Sequence, residues 1–179
     1  MKSICVFCGS SPGRDEAYTR AAWEMGDTLA RNDMTLVYGG AQIGLMGSVA
    51  DAALAAGGKV IGVLPRALMA RELGHHGLTE LKVVDSMAER KDVMMSLADA
   101  FVALPGGLGT LDELFEVWTA NQLSQLNKPC GLLNVLGFFD PLLAFLDQTV
   151  AAGFIAPAHR GVLRVDDNPS RLLAAFNPA

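Results

Sequence analysis

Short apolar runs alternate with longer stretches of helical periodicity along the whole chain. Residues 4–8, 35–38, 60–64, 81–84, 100–104 and 130–134 are compact apolar runs of strand length. Between them lie segments whose apolar positions recur every three to four residues. The spacing predicts helices over residues 15–31, 45–56, 87–97, 110–125 and 140–152, then a short strand and a final helix in the tail. Ala22, Met25, Gly26 and Leu29 share one face of the first helix. Leu111, Leu114, Phe115 and Trp118 form the apolar stripe of the fourth. Gly57-Gly58 ends the second helix and Pro65 closes the third strand. Residues 66–80 are polar and broken by Gly74 and Gly77, and read as a loop with a short helix.

Strand–helix alternation with apolar strands predicts a parallel sheet covered on both faces. Right-handed crossovers turn it into a Rossmann-like, doubly wound α/β fold, taken as a single domain over residues 1–179. Ligands of such sheets bind beyond the carboxyl ends of the strands. Three glycine-bearing turns fall at that edge: Cys8-Gly9-Ser10-Ser11, Tyr38-Gly39-Gly40-Ala41-Gln42-Ile43-Gly44 and Pro105-Gly106-Gly107-Leu108-Gly109-Thr110. One such turn is ordinary α/β architecture. Three of them, the last crowded with glycine ahead of a helix, point to a phosphate held by backbone N–H groups and the helix dipole. None matches the dinucleotide fingerprint or the P-loop, so neither a dinucleotide nor a nucleoside triphosphate is expected.

Composition narrows the classes. Hydrophobic residues make up 51% and charged residues 18%, enough for a core and too few charges for a disordered chain. The formal net charge of -5 does not favour a nucleic-acid polymer as partner. The apolar start is too short for a secretory signal and no run is long enough to span a membrane, so a cytoplasmic protein without a membrane partner is expected. Three cysteines fit a reducing compartment rather than a disulfide framework. Cys5-x-x-Cys8 stands alone, without further ligands, and reads as core. His75-His76 reads as part of a polar loop, so no metal is expected.

Two charged constellations border the glycine turns. Met87, Arg90, Lys91 and Met94 recur at helical spacing; Arg90 and Lys91 are either a solvated pair covering apolar surface or a cationic pair aimed at a substrate. Thr110-x-x-Glu113 has the spacing of a capping box, and Glu113 is alternatively a carboxylate beside a bound sugar phosphate. Glu116, one turn further on, is a second candidate. Periodicity leaves both choices open.

Met87-Ala88-Glu89-Arg90-Lys91 followed by Pro105-Gly106-Gly107-Leu108-Gly109-Thr110-Leu111-Asp112-Glu113 resembles the paired signature of the LOG (Lonely Guy) family, M-x-x-R-K and P-G-G-x-G-T-x-x-E. These are cytokinin riboside 5'-monophosphate phosphoribohydrolases. The likeness extends to residues 6–11 and 38–47 and covers nearly the whole chain; Ala41 departs from it, where many relatives carry a third glycine. The resemblance implies hydrolysis of the N-glycosidic bond of an adenine-type nucleoside 5'-monophosphate, with Arg90 and Glu113 catalytic and no cofactor. It places Glu72, Lys91, Gly106, Gly107, Leu108, Gly109, Thr110, Glu116 and Thr119 around the substrate, with Gly9, Ser10, Gly39, Gly40, Gly44 and Met46 from the other two turns. It also implies a homodimer, with sites near the subunit interface.

Two other readings compete. Molybdenum-cofactor carrier proteins look similar in fold and use glycine-rich anion loops, but need no catalytic Glu. Lysine decarboxylase, a label often attached to this family, needs a Schiff-base lysine. Of the five lysines, only Lys91 lies in a candidate site.

Overall fold

The computed structural model describes residues 1–69 and 74–176. Its elements follow the chain as β1 (Ser3–Phe7), α1 (Glu16–Arg31), β2 (Thr35–Tyr38), α2 (Gly44–Ala55), β3 (Val60–Pro65), α3 (Arg66–Met69) and β4 (Glu80–Val84). Then come α4 (Met87–Leu97), β5 (Ala100–Ala103), α5 (Leu108–Gln122), β6 (Cys130–Leu133), α6 (Asp140–Ala151), α7 (Pro157–Arg160), β7 (Leu163–Asp166) and α8 (Pro169–Ala174). All seven strands pair in parallel, in the order β4-β3-β2-β1-β5-β6-β7. This is the doubly wound sheet that the alternation predicts.

Each sheet face buries a separate apolar layer. Ile4, Val6, Leu36 and Tyr38 pack with Ala22, Met25 and Leu29 of α1 and Val49 of α2. On the other face Cys5, Phe7, Val37 and Phe101 meet Met94 of α4, Leu114 and Trp118 of α5 and Leu146 of α6. Successive strand residues point to opposite faces, so residues three apart do as well. Cys5 and Cys8 therefore enter different layers, and burial pushes both thiols up. The Cys-x-x-Cys pair is core, as its isolation suggests.

Side chains cap three of the helix starts. Asp15 caps α1 by accepting from the Ala17 N–H at 2.8 Å, and Asn168 caps α8 by accepting from Arg171 at 3.1 Å. At α4, Ser86 accepts from the Glu89 N–H at 3.1 Å while Glu89 reaches back to the Asp85 N–H at 2.8 Å. The expected capping box at Thr110–Glu113 does not form. Helix α5 starts two residues earlier, its N-cap is Gly107, and Thr110 and Glu113 are buried inside the helix. Phe115, assigned to the buried stripe by periodicity, is 36% exposed, while Val117 takes a core position. The earlier start comes from the Gly106-Gly107 turn, which lets the chain enter the helix without a capping side chain.

The chain reverses its lateral course between β1 and β5. Strands β1 to β4 step outward to one edge, α4 carries the chain back, and β5 to β7 fill the other side. The loops after β1 and β5 thus part company at the centre of the sheet, which is where open α/β sheets form their ligand crevice.

Candidate active site

The three glycine turns meet at this crevice. The ladder between β1 and β5 runs past the strand ends, with Leu104 N–H to the Phe7 carbonyl at 2.9 Å and Gly9 N–H to the Pro105 carbonyl at 3.1 Å. The Leu45 N–H, at the start of α2, donates to the Gly9 carbonyl at 3.0 Å and brings the second turn alongside. Gly44 has a φ of +58°, and a Cβ there would lie 2.3 Å from the Ser10 backbone carbon. Only glycine permits that approach.

A cleft of about 310 Å³ opens over this junction. Gly9, Ser10, Gly39, Met46, Gly107, Leu108, Gly109 and Thr110 line it, together with Arg90 and Glu113. Leu64, Leu68 and Met87 of the M-x-x-R-K signature supply an apolar wall. Leu64 and Leu68, in and after β3, were missed by sequence reasoning because they carry no local chemical signal.

One end of the cleft has the chemistry of an anion receptor. The first helical hydrogen bond of α5 runs from the Leu111 N–H to the Gly107 carbonyl at 3.1 Å. The N–H groups of Leu108, Gly109 and Thr110 precede it and have no partner inside the helix. No side chain caps them. The helix spans 15 residues, so its dipole adds to their pull on an anion. Thr110 is 4% exposed and its hydroxyl sits against Gly106, where a Cβ would come within 2.1 Å of Oγ1. Gly106 is thus required for Thr110 to fill its place.

Deeper in the cleft stands a buried ion pair. Arg90 Nη1 lies 3.4 Å from Glu113 Oε1, and each side chain is 10% exposed. Arg90 is anchored by its Nε–H, which donates to the Val63 carbonyl of β3 at 3.0 Å. Burial raises the Glu113 carboxyl from its ordinary 4.5 to about 7; Arg90 opposes the rise, Asp112 and Glu116 add to it, and Lys91 lowers it. A carboxyl poised near neutrality in a cleft has the properties of a general acid–base group.

Other residues named from the sequence go elsewhere. Lys91 turns away from the cleft and forms ion pairs with Asp112 at 3.1 Å and Glu116 at 2.7 Å. With Thr119 these three line a neighbouring surface depression bounded by Phe115 and Leu123. Gly40 backs onto Leu64 behind the cleft wall, and Gly106 touches the cleft through Thr110. His75 accepts at Nδ1 from the Gly77 N–H at 3.0 Å, so its Nε2 carries the proton that faces Asp51 Oδ1 at 3.0 Å. That pair ties the segment after β3 to α2. Glu72 lies outside the described residues.

Fold and site together define a Rossmann-like protein with an uncapped helix start beside a carboxylate–guanidinium pair. The family described as "Possible lysine decarboxylase" matches residues 46–176. A cytokinin riboside 5'-monophosphate phosphoribohydrolase from Rhodococcoides fascians is 52% identical over 176 residues, covering 98% of this chain and 89% of that protein. The probable cytokinin riboside 5'-monophosphate phosphoribohydrolase LOGL9 of Oryza sativa subsp. japonica is 51% identical, over 95% of this chain and 75% of that protein. Among solved structures, the molybdenum cofactor carrier protein of Chlamydomonas reinhardtii superposes with a TM-score of 0.74 at 23% identity, covering 97% of this chain and 94% of that one. That likeness is one of fold. The chain belongs to the LOG family of phosphoribohydrolases.

The decarboxylase description finds no support in the site. A Schiff-base lysine needs a depressed pKa to be nucleophilic. Lys91 is shifted the other way, upward, chiefly by its hydrogen bond to Glu116. Its charge is held, not released.

Proposed function

We propose that this protein hydrolyses the N-glycosidic bond of adenine-type nucleoside 5'-monophosphates, either AMP or a cytokinin riboside 5'-monophosphate, to the free base and ribose 5-phosphate. The observation that carries the proposal is one cleft holding both the uncapped start of α5 and, 3.4 Å apart, Arg90 and Glu113. The names of the relatives support a cytokinin riboside 5'-monophosphate as the substrate.

In this reading the 5'-phosphate sits on the Leu108, Gly109 and Thr110 N–H groups and the Thr110 hydroxyl. The ribose then lies toward Glu113, which is one helical turn from Thr110 along α5. Breaking the bond between C1' and the base nitrogen builds positive charge on the ribose. The Glu113 carboxylate offsets that charge and takes a proton from the attacking water, which delivers its oxygen to C1'. The base leaves with the bonding electron pair and acquires a proton. Arg90 opposes the upward push that burial gives the Glu113 carboxyl and orients it. The apolar wall of Leu64, Leu68, Met87 and Met46 faces the remaining space, where a base or a prenylated base fits.

The protein acts in this reading as a homodimer in the cytoplasm. Leu108, Met87, Leu123 and Phe115 expose apolar surface along α4 and α5, beside the cleft. Among the described residues no helix is long and apolar enough to cross a membrane. Sedimentation at micromolar concentration gives twice the chain mass if the dimer assignment is right.

The deciding experiment is a panel of nucleosides and nucleotides scored by kcat/KM for base release. AMP and isopentenyl-AMP release free base and ribose 5-phosphate, whereas adenosine reacts at least about a hundredfold more slowly, for want of the phosphate anchor. Equal rates on adenosine and AMP would remove the phosphate role of α5. No base release from any monophosphate would remove the reaction itself.

A further inference from the structure

We propose that Gly39 is a positioning residue: its missing side chain is the space that the Arg90 guanidinium occupies beside Glu113. A Cβ built on Gly39 would lie 2.0 Å from Arg90 Nη2, 3.2 Å from Arg90 Cζ and 3.0 Å from the Met46 sulfur. The first distance is far inside van der Waals contact. The inference rests on the reading above that Arg90 and Glu113 form the reacting pair.

The other glycines of the same turn have different reasons. Gly40 and Gly44 hold φ of +78° and +58°, and a Cβ at Gly44 would strike the Ser10 backbone. Gly39 is not among the positive-φ residues, so its backbone suits alanine. What alanine would meet is the far end of a side chain able to swing. The expected cost therefore falls on the placement of Arg90 and hardly on the fold.

Arg90 is held from three directions. Its Nε donates to Val63 on β3, Nη1 faces Glu113 on α5, and Nη2 lies against Gly39 past the end of β2. The guanidinium is planar and rigid, so pushing Nη2 aside rotates Nη1 away from Glu113 or breaks the bond to Val63. A methyl group at position 39 thereby removes the main cation facing Glu113. The remaining charged and titratable groups around Glu113 are Lys91 on α4, Asp112 and Glu116 on α5, and Cys5 and Cys8 at β1. Of these only Lys91 is cationic, and it is already paired.

The test follows the Glu113 carboxyl directly, by ¹³C NMR titration of Glu-labelled protein with E113Q assigning the resonance. Gly39→Ala shifts the Glu113 midpoint upward by about one unit. It shifts nothing further when Arg90→Ala is already present. Base release from AMP provides a second cycle. Gly39→Ala lowers kcat/KM by about a hundredfold in the parent and by less than about twofold in the Arg90→Ala background. An unmoved midpoint, or an equal shift with and without Arg90, overturns the inference. If Gly39→Ala alone does not fold, the double variant decides: a folded Gly39→Ala/Arg90→Ala protein supports the clash with Arg90, and an unfolded one overturns it. The NMR cycle needs no turnover, so a moved midpoint in a protein that releases no base overturns the proposed reaction and leaves the Gly39–Arg90 coupling standing.

Discussion

Arg90 and Lys91 are adjacent on α4, and Asp112 and Glu113 are adjacent on α5, yet the four side chains sort into two unlike clusters. Arg90 and Glu113 face each other inside the cleft, both 10% exposed and 3.4 Å apart. Lys91 meets Glu116 and Asp112, at 2.7 and 3.1 Å, toward the surface; those two acids are 37% and 61% exposed, and Asp112 stands at the border with the cleft. Adjacent helical residues point about 100° apart, so a single step along each helix exchanges the interior for the surface.

The difference is one of satisfaction as much as of burial. In the outer cluster one cation serves two carboxylates at close range, and solvent screens the exposed Asp112 most. In the inner pair the contact is longer than a good hydrogen bond, water is scarce, and the carboxyl rises to about 7. Close neutralisation makes an ion pair inert. A buried pair held slightly apart keeps lone pairs and donors available for a substrate. The two clusters therefore predict two very different responses to substitution.

The largest contrast should come from Glu113→Gln, which keeps the shape and removes the ionisable group. It should lower kcat for base release from AMP by about a thousandfold, read by chromatography of the free base. Glu116→Gln, the matching change in the outer cluster, should stay within about fivefold. Similar losses in both would erase the distinction between the clusters.

Arg90→Ala should cost about a hundredfold in kcat/KM and shift the acid limb of the pH–rate profile upward, because the main cation that lowers the Glu113 carboxyl is gone. Lys91→Ala should cost less than about fivefold with little movement of that limb. If Lys91→Ala matches Arg90→Ala, the outer cluster belongs to the reacting centre after all.

Stability should carry the same signature. The Glu113 carboxyl is higher in the folded protein, about 7 against an ordinary 4.5, so the folded state binds more protons between those values. Stability from this group is then greatest at low pH, declines as pH rises from about 4.5 to about 7, and is level above. The full span corresponds to about 3 kcal/mol. Glu113→Gln should abolish that slope, so its unfolding free energy relative to the parent should rise between pH 5 and pH 8 in urea titrations. A parallel pH dependence in both proteins would show that Glu113 is not the group concerned.

The smallest effect concerns the outer cluster alone. Asp112→Asn should change stability by less than about 1 kcal/mol, and less still in high salt. A larger, salt-insensitive loss would mean that Lys91 is buried against another surface in the assembled protein.

Much of this contrast could be anticipated only halfway from the chain itself. Ser86-Met87-Ala88-Glu89 and Thr110-Leu111-Asp112-Glu113 carry the same capping-box spacing; in the first Ser86 caps the helix and Glu89 reaches back to Asp85, one residue before the N-cap. In the second the Gly106-Gly107 turn starts the helix early and turns Glu113 into the cleft. A local pattern cannot tell these outcomes apart, because the deciding contact is with Arg90, more than twenty residues away. Phe115 likewise has the right period for the core, but the surface of α5 is wide enough that Val117 takes the buried place.

Taken by itself, the order of residues determined the elements, the parallel sheet and the edge where a ligand binds, because periodicity and glycine turns act over a few residues. The paired signature determined the family. Tertiary structure alone decided which of two neighbouring cations enters the cleft, whether Glu113 caps its helix or faces Arg90, and what the absent side chain at Gly39 makes room for. Those outcomes depend on crossovers that bring β2, β3, α4 and α5 to one point, and on the low dielectric found there, which no local stretch of sequence contains.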